Sequence, residues 1–215
     1  MRESQFECIL WDFGGVFTGS PFYSIDNYSD HLGINPQELI ELVLGYGIDD
    51  GDHHWHRLER GEITMAEAVE KIIDLSKIKG IKGFEIRDFF KSMGGKTDRT
   101  EEMFEAVHRY KGLGVSQYIL SNNIREFSSS WKSMLPENLF DGIIDSSEVG
   151  IRKPDPNIFT LALQIAEKSA EKTIFLDDYI QHVNVANQLG IHSIHVGPNP
   201  LDSVKEIDKL FDSST

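Results

Sequence analysis

The sequence predicts an α/β protein: a parallel sheet covered by helices on both faces, with a helical insertion between its first strand and the remainder. Three observations carry this. Five short apolar runs alternate with segments of helical periodicity, the pattern of a parallel sheet with crossover helices. The first run ends at once in the glycines and turn residues of DFGGVFTGS, as a buried strand entering a loop does. A long stretch after it holds amphipathic segments and no convincing strand.

In chain order, 6–11 (FECILW) reads as strand one. Four amphipathic segments follow, at 24–32, 36–44, 52–59 and 64–76, with a candidate fifth at 84–92. Thr64 and Glu67 have the spacing of a capping box, in which each side chain satisfies an orphan amide at a helix start. The pieces KIKGIKG and MGGKTD read as connectors, the second returning the chain to the core. A helix at 99–111, closed by Gly112 and Gly114, leads to the strand SQYIL from Ser116. GIIDS from Gly142 is the next strand, then a helix at 156–167 and the strand TIFL from Thr173. A helix at 183–189 stops at Gly190, HSIHV from His192 is the last strand, and a helix at 201–211 closes the chain.

At 215 residues the chain suits one core plus an insertion, divided as 1–18 with 96–215 and 19–95. Its 40% hydrophobic and 26% charged content is ordinary for a soluble protein, and no apolar run is long enough to span a bilayer. The start has neither the basic stretch nor the cleavage site of a secretory signal, so a cytoplasmic location is expected. Cys8 is the sole cysteine and lies in the first apolar run, which excludes an internal disulfide and reads as a small buried strand residue. A net charge of -14 would repel a polyanion, so no nucleic-acid partner is expected.

In an open parallel sheet, ligands bind beyond the carboxyl ends of the strands. Asp12 follows strand one, Ser121 and Asn122 follow strand two, and Asp177 and Asp178 follow TIFL. Arg152-Lys153-Pro154 precedes the helix at 156. A carboxylate nucleophile, a hydroxyl with loop amides, an ammonium and a pair of acids make up a phosphoryl-transfer kit.

With these residues in order, the chain resembles the haloacid dehalogenase superfamily of hydrolases. Its four motifs are matched by DFGGV at Asp12, YILSN ending in Ser121 and Asn122, RKPDPNIF around Lys153, and IFLDD at Asp177 and Asp178. The resemblance implies a Rossmann-like core with an inserted helical C1 cap, whose HRLERGEIT segment is similar to caps in the branch containing the phosphatase domain of soluble epoxide hydrolase. It implies that Asp12 attacks phosphorus and forms an aspartyl-phosphate, with a small phosphorylated metabolite, such as a sugar phosphate, as substrate. It implies that Mg2+ is held by Asp12, the Gly14 carbonyl and Asp178, with Asp177 ligating directly or through water. Ser121 and the Asn122 amide would bind phosphate, and Lys153 would tie Asp12 to it.

Two positions depart from the pattern. Gly14 stands where the family's phosphatases carry an aspartate that moves the proton, and His182 stands where relatives carry Asp or Asn. The alternatives are a metal-independent haloacid dehalogenase, which lacks the paired acids, and a non-catalytic phosphate-binding relative. His53, His54 and His56 invite a metal reading, but no further ligand completes the set, and a polar cap face is the expectation for them.

Overall fold

A computed structural model describes residues 5–20, 25–47, 53–92 and 100–212. β1 (Cys8–Trp11) is buried at every position, and its side chains alternate between the two faces of the sheet. Ile9 and Trp11 enter one apolar cluster, Cys8 and Leu10 the other. Burial pushes the Cys8 thiol up to about 12, which leaves it inert.

All five expected segments of the insertion are helical: α1 (Asp26–Leu32), α2 (Pro36–Leu44), α3 (His54–Glu59), α4 (Met65–Ile78) and α5 (Ile86–Ser92). The expected starts at Ser24 and Asp52, and the whole MGGKTD connector, lie outside the described residues. Asn35 caps α2 by accepting from the Gln37 amide at 2.8 Å, and Pro36 sets its first turn. The capping box opens α4 as expected, with Glu67 Oε2 accepting from the Thr64 amide at 2.8 Å. Leu39, Leu42, Leu58, Ala68, Ile72 and Phe89 meet in an apolar cluster of the insertion's own, joined by Ile124 from the core.

The chain continues through α6 (Thr100–Gly112), β2 (Ser116–Ser121), α7 (Ser128–Lys132), β3 (Gly142–Asp145) and α8 (Ser146–Val149). It ends with α9 (Pro156–Ala166), β4 (Thr173–Asp177), α10 (Ile180–Gln188), β5 (His192–His195) and α11 (Leu201–Asp212). Two helices were not expected. α7 and α8, of five and four residues, are too short to display a 3.6-residue period. Nor does α10 start at 183 as read from the sequence; it starts three residues earlier, with only Tyr179 between it and the paired acids.

The five strands are all parallel, in the order β3-β2-β1-β4-β5. α6 and α11 cover one face through Met103, Val107, Tyr110 and Ile207, and α9 and α10 cover the other through Phe159, Ala162 and Ala186. The strand order reverses between β1 and β4, so the crevice there opens beside the carboxyl ends of the two central strands. Among the described residues no helix is long and apolar enough to cross a membrane.

Candidate active site

Asp12 leaves β1 with its amide still bonded to the Leu176 carbonyl at 2.9 Å, so the ladder itself fixes where its carboxylate starts. The loop then turns back through Gly15, whose φ of 71° belongs to the left-handed region. A Cβ on Gly15 would lie 2.0 Å from Asp178 Oδ2, so only glycine lets the loop pass this close to that acid. At Gly14 the situation is open: the nearest atom to an added Cβ would be Asp12 Oδ2, at 4.0 Å.

Lys153 is buried between the acids. Its Nζ donates to Asp177 Oδ2 at 2.6 Å and to the Leu120 carbonyl at 2.8 Å, and pairs with Asp12 Oδ1 at 2.9 Å, which uses all three of its protons. Asn122 holds the lysine's backbone from both sides, accepting from the Lys153 amide at 2.8 Å and donating to its carbonyl at 2.9 Å. Asp177 accepts in addition from the Tyr179 amide at 2.8 Å, and His182 Nδ1 lies 3.0 Å from both of its oxygens. Asp178 Oδ2 is buried and has no hydrogen-bond partner among the described residues.

The electrostatics follow from this packing. Burial pushes Asp12 up to about 7, against the pull of Lys153. Burial likewise raises Asp178 well above the usual carboxylate range, and the neighbouring Asp177 and Asp12 add to it. Burial also works to raise Asp177, but its contacts with His182 and Lys153 outweigh that and hold it low. Lys153 stays charged because the two carboxylates overcome the opposing effect of burial. Burial lowers His182, which favours the neutral ring.

Three acids therefore face one buried ammonium, and one of their oxygens is left without a donor. Oxygens of Asp12, Asp177 and Asp178 lie within 4.8 Å of one another. Hard oxygen ligands, excess negative charge and an orphaned buried carboxylate oxygen suit a small divalent cation.

A cleft of about 270 Å³ between insertion and core opens onto this cluster. Asp12, Gly14, Ser121, Asn122, Lys153 and Asp178 all line it, and so does His182; Asp177 lies behind, beneath Lys153. Sequence reasoning missed Gly15, whose requirement is set by an acid far along the chain. It also missed Glu59, whose Oε2 accepts from Arg152 Nε at 2.7 Å in a buried pair joining α3 to the core. No local pattern marks either residue.

The histidine stretch is not the polar face expected of it. His56 is 1% exposed, and burial lowers it to about 3 and His53 to about 4. His53 Nδ1 accepts from the Trp55 amide at 3.1 Å, so its Nε2, 3.2 Å from the Leu42 carbonyl, carries the proton and donates. Both nitrogens are thus occupied in capping α3 and tying it to α2. Of this stretch it is Trp55, not a histidine, that lines the cleft.

Fold and site together define the class: a hydrolase with a Rossmann-like core of parallel strands, whose acids gather where the strand order reverses. The chain belongs to the haloacid dehalogenase-like hydrolases, whose family model matches residues 6–190. It is 30% identical to mouse acyl-CoA dehydrogenase family member 10 over 96% of its length, but spans only 19% of that protein. Sesquiterpene phosphatase from Aspergillus oryzae is 28% identical, with 90% of this chain and 91% of the relative covered. Pig bifunctional epoxide hydrolase 2 is 29% identical over 81% of this chain, which spans 33% of that relative. Among solved structures, a HAD family enzyme from Bacteroides thetaiotaomicron in complex with magnesium and inorganic phosphate shares the fold, with a TM-score of 0.61, 23% identity, and 90% and 96% of the two chains covered.

Proposed function

We propose that the chain is a magnesium-dependent phosphomonoesterase working through an aspartyl-phosphate on Asp12. The observation that carries this is the buried Lys153, which holds Asp12 at 2.9 Å and Asp177 at 2.6 Å beside the open oxygen of Asp178. The relative from A. oryzae, named as a phosphatase and matched along nearly its whole length, supports phosphate esters as substrates. In this reading residues 19–95 form a cap over a core of 1–18 and 96–215.

An Asp12 oxygen attacks phosphorus while the ester P–O bond breaks, giving an aspartyl-phosphate and the free alcohol. Gly14 offers no proton, so the departing oxygen takes its own from water. A water molecule then attacks the aspartyl-phosphate, releasing inorganic phosphate and restoring the carboxylate. Lys153 keeps Asp12 oriented and favours its ionised form; Ser121 and the Asn122 amide receive phosphate oxygens. Asp12, the Gly14 carbonyl and Asp178 would hold magnesium, with Asp177 behind them fixing Lys153. The bound ion supplies positive charge to phosphoryl oxygens and relieves the repulsion among the acids.

Hydrolysis of p-nitrophenyl phosphate tests the reading. Asp12→Asn should lower turnover by about three orders of magnitude or more with the fold retained by circular dichroism, and a chelator should abolish it until magnesium is restored. Turnover that survives Asp12→Asn in pure protein rejects the mechanism. Chelator-insensitive release of halide from haloacids would replace it with the dehalogenase reading.

A further inference from the structure

The cleft beside Asp12 is lined by two unlike groups of residues. One is the acid and ammonium cluster. The other is apolar: Leu44, Trp55 and Phe90 from the insertion, and Ile124, Phe127 and Trp131 from the core. Two of the polar residues that line the cleft with them, Glu59 and Asn123, have oxygens committed to other groups. Glu59 accepts from Arg152 at 2.7 Å and from the Trp55 indole at 2.9 Å, and Asn123 Oδ1 accepts from the Ile124 amide at 2.9 Å. Trp131 Nε1, buried without a hydrogen-bond partner among the described residues, suits one acceptor at most.

A sugar placed here would bury several hydroxyls against aromatic and aliphatic carbon, and an unpaired buried hydroxyl is strongly unfavourable. A hydrocarbon in the same place would exchange water for apolar contact. Phe127 is 45% exposed, so apolar surface continues toward solvent for the far end of a longer chain.

We propose that this cleft selects monophosphates of apolar alcohols, with a chain or ring of hydrocarbon filling the space between insertion and core, over sugar phosphates. The proposal rests on the phosphomonoesterase reading and adds the substrate class to it.

Primary n-alkyl phosphates from butyl to decyl, compared with glucose 6-phosphate on the full chain with magnesium, provide the test. Leaving-group basicity is nearly constant across the alkyl series, so the chain alone varies. The expected result is a rise in kcat/KM of about two- to fourfold per methylene until the cleft is full. Phe127→Ser, at a half-exposed position, should flatten the rise for the longest chains. A flat series, or glucose 6-phosphate handled as well as decyl phosphate, overturns the proposal. Calorimetric titration with alkylphosphonates of the same lengths separates the two readings. Affinity that tightens with length in a protein that hydrolyses nothing keeps the apolar cleft and rejects the phosphomonoesterase; affinity independent of length rejects the cleft.

Discussion

Neighbouring glycines in the loop after β1 have unequal freedom. Gly14 has room for a side chain, whereas Gly15 has both a left-handed backbone and Asp178 where its Cβ would stand. Gly15→Ala should therefore cost about 1–3 kcal/mol of stability and displace Asp178. An acid moved by about an ångström in such a site lowers activity on the order of a hundredfold. Gly14→Ala should melt close to the parent. Thermal melts together with a magnesium titration check the contrast, and an unchanged magnesium affinity in Gly15→Ala contradicts it. That Asp12, Ser121, Lys153 and Asp178 would come together on one cleft was legible in the sequence, because each lies at a strand end or ahead of a helix in a recognisable local string. Gly15 was not, since glycine in a loop reads as mere flexibility until the partner that forbids a side chain is seen. Asp177, expected to ligate the ion directly or through water, keeps an oxygen within 4.8 Å of those of Asp12 and Asp178, and what the sequence did not show is that Lys153, Tyr179 and His182 also hold it.

At the scale of elements, legibility followed length and burial. The strands announced themselves because β1 and β4 are buried at every position, and the amphipathic α2 and α4 show a helical period along with their caps. α8 shows no such period. It starts because Asp145 accepts from the Ser147 amide at 3.0 Å, a bond that four residues of sequence cannot signal. The way α3 meets the core was equally hidden, since Glu59 and Arg152 stand 93 residues apart. Ser146 Oγ strengthens the same junction by donating to the Glu59 carbonyl at 2.6 Å. Breaking a buried ion pair from one side leaves an uncompensated charge, so Glu59→Ala should lose about 3–5 kcal/mol. Replacing both partners, as in Glu59→Met with Arg152→Met, should recover much of it. Urea unfolding midpoints of the single and double variants decide the matter; a double variant no more stable than Glu59→Ala would show that the charges themselves hold the junction.

For the whole molecule, local patterns gave the number of strands and their parallel sense but not their order, which depends on contacts between distant segments. β1 proves to be the middle strand, paired through Cys8 with Ser116 on one side and Thr173 on the other. That position has a consequence in time. A ribosome delivers β1 first, and both of its partners emerge only after the whole insertion has been made. Meanwhile α2, α3 and α4 already have an apolar cluster of their own to close. Distant pairings form late because the loop-closure entropy precedes any gain from contact. On dilution from denaturant, pulse-labelled hydrogen exchange should find amides of α2 and α4 protected before those of β1. Protection of all of them in a single phase would mean instead that the sheet must assemble before the insertion can close, and a nascent chain stalled at Gly112 would then hold no structure at all.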